Sequence, residues 1–550
     1  SWMKIINNPQ NKNIQRLNEI YKVLKKNDFG HLIEENTFIK KFPLMKNENK
    51  KSQDLLDESL PIRIKKVLEE LGPTYIKLGQ MLSTRPDLVG IEIAEELEKL
   101  RDNTPTTPFN EIKKVIGSEL GKPIDEIYCE IDETPIGSAS IGQVYKAKLC
   151  KTNEKVAIKI QKPKAEETIK SDIKIMKFLA EKLDKYVYQT RTYNLPAIIS
   201  EFERSIFKEI DYINELRNME ILSKNFRKIP YIHIPKTYDE YCTKKIITME
   251  LINGIEVSKF IEKDYPGYDK KLIAKYGAKS YFKQIMIDGF FHADPHPGNM
   301  MITEDKKLCY IDEGMMGILD DDFRENLAEL IILLINGNTD NIINQLIYMD
   351  IITVSQNTPD LKADINDLLN RYYGSNLKNI NGGMQDLLKV MIKNNIILPR
   401  EFVMIGRGIA LIEETGRKLD PDFNTSSELK KLSKNIIKDK YKPERLIKVS
   451  TNYLLQLEHL AKNLPNTINN TLSKIEEGNI TVNLKHENIH NITNQLSISI
   501  ILSAIIVGSS LAILADKGPR FMDIPVLGLV GFVISVALGI YIVIKFIRTE

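Results

Sequence analysis

The sequence predicts an α+β fold, rich in helix and divided into two lobes. A helical extension precedes the lobes and a two-helix transmembrane hairpin follows them. Three observations predict this. A strand pair, Ile136–Leu149 and Lys155–Gln161, comes before long helical patterns, so a small mixed lobe leads into a helical one. The stretch His292-Ala293-Asp294-Pro295-His296-Pro297-Gly298-Asn299, then Tyr310-Ile311-Asp312-Glu313-Gly314, sets chemistry-bearing residues just past the junction. Two uncharged runs, Leu496–Ala515 and Ile524–Ile544, close the chain.

Of the 550 residues 42% are apolar and 27% charged, enough for a sizeable core in one to three domains. The 77 basic and 74 acidic residues nearly cancel, which gives no reason to expect nucleic acid as a partner. Cys129, Cys150, Cys242 and Cys309 lack metal-ligand spacing and form no evident disulfide framework, a pattern that suits a reducing compartment. Trp2 to Lys26 is polar and amphipathic, so no signal peptide is expected there.

Residues 1–110 read as a helical extension. Ile64, Val67, Leu68 and Leu71 recur at helical spacing, Gly72-Pro73 breaks that helix and starts another, and Asn103 to Asn110 is a linker. Residues 111–255 read as the small lobe with a helical insertion: the strand pair, helices over Ala165–Tyr188 and Ala197–Phe226, and a strand over Lys245–Leu251. Residues 256–440 read as the helical lobe, 441–495 as a helical linker and 496–545 as the hairpin.

Asp294, with Asn299 five residues on and Asp312 eighteen on, has the spacing of a phosphoryl-transfer site. The Asp can orient a nucleophile, while Asn299 and Asp312 can hold magnesium against nucleotide phosphates. Pro295 and Pro297 keep His292 and His296 off a common helix, which argues against a histidine metal pair. Met300-Met301-Ile302 and Leu308 to Ile311 form a hairpin that sets these residues at neighbouring strand ends. The other half of such a site is a phosphate loop, Gly137-Ser138-Ala139-Ser140-Ile141-Gly142-Gln143-Val144, with Lys159 seventeen residues beyond Gly142 on an alternating strand. Glu209, Asp211 and Glu215, on one helical stretch, offer three carboxylates to that lysine. Asp211 and Glu215 share a face, and a solvated helix face accounts for the spacing equally well. Small lobe, helical lobe and loop occur in bilobal protein-kinase order.

Leu71-Gly72-Pro73-Thr74-Tyr75-Ile76-Lys77-Leu78-Gly79-Gln80, then Ser83-Thr84-Arg85-Pro86-Asp87-Leu88, resembles the UbiB family, the atypical kinase-like proteins tied to ubiquinone biosynthesis. The resemblance runs from about residue 15 to the hairpin. Lys77, Gly79 and Gln80 match the family's Lys-x-Gly-Gln signature, which implies a regulatory helix folded across the site. The resemblance further implies that Lys77 meets Glu209 and Asp211, that Glu215 partners Lys159, and that Glu250 and Leu251 in Met249-Glu250-Leu251 receive adenine. Ala139 falls in the family's Ala-rich loop, and Asp294, Asn299 and Asp312 in its catalytic and magnesium positions. Two departures stand out: Gly137 replaces a frequent Ala, and Glu313 replaces the Phe that follows the metal Asp.

Each uncharged run suffices to cross about 30 Å of hydrocarbon as a helix. Gly528, Gly531, Ser535 and Gly539 offer a small-residue face for close packing. Lys545 and Arg548 favour a cytoplasmic C-terminus, hence a cytoplasmic kinase-like domain on a multi-pass membrane protein. The expected function is a membrane-anchored, magnesium- and ATP-dependent kinase-like ATPase. Its expected partners are the lipid membrane and an isoprenoid-quinone-type lipid, or the enzymes that make one. A small-molecule kinase of the aminoglycoside or choline type, sharing Asp-x-His-x-x-Asn, and a non-catalytic ATP-binding scaffold are the alternatives.

Overall fold

The computed structural model describes residues 12–29, 59–100, 105–186, 194–373 and 382–440, with 442 and short pieces between 503 and 536. The chain separates into two units, residues 1–447 and 448–550.

The first unit opens with α1 (Lys12–Lys26), α2 (Leu60–Leu71), α3 (Pro73–Ser83), α4 (Pro86–Val89) and α5 (Ile91–Leu97). Gly72 takes φ 95°, open to glycine at little cost, and Pro73 then starts α3 with its φ already helical. The small lobe holds α6 (Phe109–Leu120), α7 (Ile124–Ile127), β1 (Tyr128–Ile131), β2 (Gly137–Ser138), β3 (Gly142–Leu149) and β4 (Lys155–Gln161). Three helices follow, α8 (Ala165–Tyr186), α9 (Leu195–Glu209) and α10 (Tyr212–Phe226), then β5 (Ile232–His233) and β6 (Ile246–Glu250). The small-lobe sheet runs β1-β3-β4-β6, with β2 on β3, and every described pairing is antiparallel. Along β3, buried Tyr145, Ala147 and Leu149 alternate with Lys146 and Lys148, the pattern of a half-buried strand.

The helices of the extension share a core with the insertion. Leu68, Tyr75, Leu78 and Leu97 pack with Ile173, Ile198, Phe202 and Ile206. Gly79 permits this: a Cβ there would press on Leu68 at 2.8 Å and collide with Leu100.

The large lobe contains β7 (Gly254–Glu256), α11 (Val257–Glu262), α12 (Lys270–Lys283), a π-turn at Gln284–Asp288, β8 (Phe290–His292), β9 (Met300–Thr303), β10 (Leu308–Tyr310) and β11 (Met316–Ile318). Helices α13 (Asp321–Asn336), α14 (Thr339–Tyr348), α15 (Pro359–Tyr373), α16 (Gly383–Lys393), α17 (Arg400–Leu419) and α18 (Ser426–Lys440) complete it. Its core joins Phe260, Phe282, Phe291, Leu330 and Phe402. One sheet runs β5-β10-β9-β7, and β8 pairs with β11.

Three expectations change. The helix expected over Ala197–Phe226 is two helices. Ile210 is buried, so the apolar pattern runs through the break, but the Asp211 side chain accepts the Ile213 N–H at 3.1 Å and caps a new helix. Cys129 and Cys150, expected to be free, form a disulfide with Cα atoms 4.9 Å apart. Antiparallel pairing of β1 with the far end of β3 closes a gap of 21 residues that sequence spacing alone conceals.

The third concerns the transmembrane hairpin. Among the described residues no helix is long and apolar enough to cross a membrane, and most of 496–545 lies outside them. Helical residues occur at 503–511 and 529–534, and Gly531 lies close against Ser509. The second run opens as strand: β13 (Ile524–Pro525) pairs antiparallel with β12 (Arg520–Phe521). Its Pro525, near the earlier Gly518-Pro519, favours a turn over a helix start at this point.

Candidate active site

A cleft of about 990 Å³ opens between the lobes. Gly137, Ser138, Ala139, Gly142 and Val144 line its roof. The loop turns tightly, with the Ala139 N–H bonded to the Gly142 carbonyl at 2.8 Å. Gly142 is required by space, since a Cβ would meet the Ile160 carbonyl at 3.1 Å and the Tyr212 hydroxyl. Ser138 Oγ is buried without a hydrogen-bond partner, a hydroxyl suited to a ligand oxygen. Two residues of this loop turn elsewhere. Gln143 is fully buried and bonds the Thr107 backbone and, at 2.7 Å, the Tyr145 hydroxyl. Ser140 is also buried and does not line the cleft.

Lys159 extends from β4, and its Nζ lies 2.7 and 2.9 Å from the two oxygens of Glu215 on α10. The helix break makes this possible by giving Glu215 a helix of its own. Asp312 Oδ1 is 3.7 Å from the same Nζ, and the Tyr212 ring lies 5.4 Å beneath it. Burial alone would lower the lysine pKa, but Glu215 and Asp312 outweigh it and hold Lys159 protonated. Burial pushes Glu215 up against the pull of Lys159, while the two short hydrogen bonds favour the charged pair. Lys159 holds Asp312 down at about 2, so this carboxylate is ionised across the physiological range.

The candidate catalytic loop follows β8. His292 Nδ1 accepts the Asp294 N–H at 3.1 Å, so Nε2 carries the proton and donates to the Asp312 carbonyl. Asn299 Nδ2 donates to the Asp294 carbonyl at 3.2 Å, and Ile311 N–H donates to the Asn299 carbonyl at 3.1 Å. Asp294, Asn299 and Asp312 thus stand together on the floor of the cleft. Asn299 Oδ1 and the Asp312 carboxylate supply the hard oxygen donors that magnesium takes.

Glu250 and Leu251 line the inner wall at the end of β6. From the extension, Lys77 and Gln80 line the outer side, and Lys77 pairs with Glu209 at 2.7 Å. Gly79 serves the packing of α3, and Asp211 caps α10.

Glu313 follows Asp312 and is fully buried, and neither carboxylate oxygen has a hydrogen-bond partner. Burial, then the Glu215 and Asp312 charges, raises its pKa well above the carboxylate range. Asn218, one turn beyond Glu215 on α10, donates to the Glu313 carbonyl at 2.7 Å and ties α10 to this loop. The i, i+3 relation to Glu215 was the available signal for Asn218. Nothing in the sequence singled out His233, which bonds Glu250 at 2.9 Å.

This fold and site define a kinase-like protein. Models of the ABC1 atypical kinase-like domain, the UbiB helical domain and the ABC1/UbiB kinase-like C-terminal domain match residues 99–346, 365–424 and 484–548. A Clostridium pasteurianum protein known from the hydrogenase 1 5′ region is 32% identical over 549 residues, covering 98% of this chain and 99% of that one. An Azotobacter vinelandii protein called "Probable protein kinase UbiB" is 30% identical, covering 73% of this chain and 76% of that one. The chloroplast protein activity of bc1 complex kinase 7 of Arabidopsis thaliana is 32% identical over 64% of this chain and 51% of its own length. The chain belongs to the UbiB family of atypical kinase-like proteins.

Proposed function

We propose that this chain is a membrane-anchored, magnesium-dependent ATPase of kinase-like build, serving isoprenoid-quinone lipid metabolism from the cytoplasmic face. One observation carries the reading: Lys159, bonded to Glu215, stands 3.7 Å from an ionised Asp312 in one cleft with Asn299 and Asp294. Asn299 and Asp312 would hold Mg²⁺, which when bound neutralises phosphate charge. Lys159 pairs the phosphates and Glu215 holds it in place. Asp294 orients the attacking hydroxyl or water and accepts its proton. The loop from Gly137 to Val144 supplies backbone donors, and the wall at Glu250 and Leu251 receives the base.

The extension supports ATP hydrolysis over protein phosphorylation, because Lys77 and Gln80 line the cleft a peptide would have to enter. The same wall argues against a soluble-alcohol kinase. The uncharged C-terminal runs and the relatives named for UbiB support the membrane and the quinone lipid. Mg-ATP turnover of the full chain against Asp312→Asn tests the reading: a loss of about a hundredfold or more is expected, and equal rates would contradict it. A second reading, ATP binding without turnover, draws on Glu313, a buried acid beside the metal position. Nucleotide binding with no hydrolysis, even with quinone-like lipid present, selects it.

A further inference from the structure

One titratable side chain outside the roles above joins the two lobes at the rim of the cleft. His233 lies on β5, where parallel pairing sets it opposite Cys309 on the strand that runs into Asp312. Its Nε2 is 2.9 Å from Glu250 Oε2, at the end of β6 in the small lobe. The same oxygen accepts the Lys236 N–H at 3.1 Å, and the Lys236 carbonyl accepts the Glu250 N–H at 2.8 Å. The segment from His233 to Lys236 is thereby fastened to the exit of β6. Pro235 from that segment and Met249 to Ile252 from that exit line one wall of the cleft.

We propose that His233 is a positioning residue for the bound nucleotide: by holding Glu250 it fixes this wall and ties it to the strand that leads into Asp312, so nucleotide affinity follows the strength of one ion pair. The inference rests on the cleft being a nucleotide site. The hydrogen bond from Glu250 raises the pKa of His233, and His233 in turn lowers that of Glu250. The other charged groups that face the pair are Lys307 and Asp305, on the β9–β10 hairpin, and Lys236, itself bonded to Glu154. Lys307 weakens the protonated state and Asp305 favours it. The pair is complete below the ordinary imidazole value and weakens as pH rises through the raised value of His233.

The test is the Kd of MgATP for the full chain across pH, in wild type and His233→Gln. Titration of the nucleotide's own phosphate is common to both and cancels in the comparison. From about pH 6 to about pH 8.5 wild-type affinity should fall roughly fivefold relative to the variant, the size a half-exposed ion pair supports, with kcat unchanged. Parallel profiles in the two proteins, or a loss of kcat at constant affinity, would overturn the proposal. A second measurement needs no nucleotide: the His233 ring titration by NMR should lie above the usual imidazole value and drop in Glu250→Gln. An ordinary value in wild type overturns the proposal. A raised value with no nucleotide binding at any pH overturns the nucleotide reading and the role of His233 with it, whereas binding with parallel profiles overturns the role of His233 alone.

Discussion

Glu313 shows how much one residue can cost and still be kept. A carboxyl group buried without a partner forfeits its hydration and gains nothing back. Its pKa is raised, so the folded chain binds a proton there that the unfolded chain releases above about its ordinary value of 4.5. The sign follows: the destabilisation is small at acid pH and grows as pH rises from 4.5 towards the folded value. Glu313→Met should therefore raise unfolding stability by about 1–3 kcal/mol near neutral pH, with a smaller gain near pH 5. Denaturant melts at both pH values check this, and equal stability of the two proteins near neutral pH would contradict it. The chemistry at this position was legible in sequence only as a substitution next to Asp312. Asn218 on α10 ties the Glu313 backbone to that helix, and no local pattern reports this long-range contact.

At the scale of elements, the sequence made the strand pairs readable and left the joints obscure. The β3–β4 and β9–β10 hairpins follow from alternation and turn residues, and they bring Lys159 and Asp312 to one cleft, 3.7 Å apart. The break between α9 and α10 was hidden because Ile206 and Ile210 keep helical spacing across it, while capping by Asp211 is decided by a single side chain. That break decides the site, since it sends Glu209 to Lys77 and Glu215 to Lys159. Asp211→Ala should cost about 1 kcal/mol of stability through the lost cap and lower ATP turnover further than that loss explains, because the start of α10 no longer fixes Glu215. A chevron or equilibrium melt beside steady-state kinetics separates the two effects. β5, only two residues long, carries no periodicity to detect, yet it supplies His233.

Across the molecule, the extension is fastened to the large lobe over the cleft. Arg407 on α17 donates to the Ser83 carbonyl at 2.8 Å and to Glu98 at 2.7 Å. Arg85 is buried between Asp87 and Glu201, each at 2.7 Å, and reaches the Leu398 carbonyl at 3.4 Å. Apart from Arg85 with Asp87, two residues apart, these pairs are long-range and could not be read from sequence, because each joins residues brought together only by the complete fold. Arg407→Ala should loosen α3, raising amide exchange over residues 73–83 roughly three- to tenfold while the large-lobe core keeps its protection. Unchanged exchange there would show that the remaining contacts, Arg85, Lys77 and the shared apolar core among them, hold α3 without Arg407. The account's central claim is that Lys159, Glu215 and Asp312 form one nucleotide–magnesium site. Its most direct test is the thermal shift produced by ATP, with magnesium and with a chelator, in wild type and Asp312→Asn. The account predicts a shift in wild type that depends on magnesium and is lost in the variant; a shift of equal size in all four conditions would contradict it.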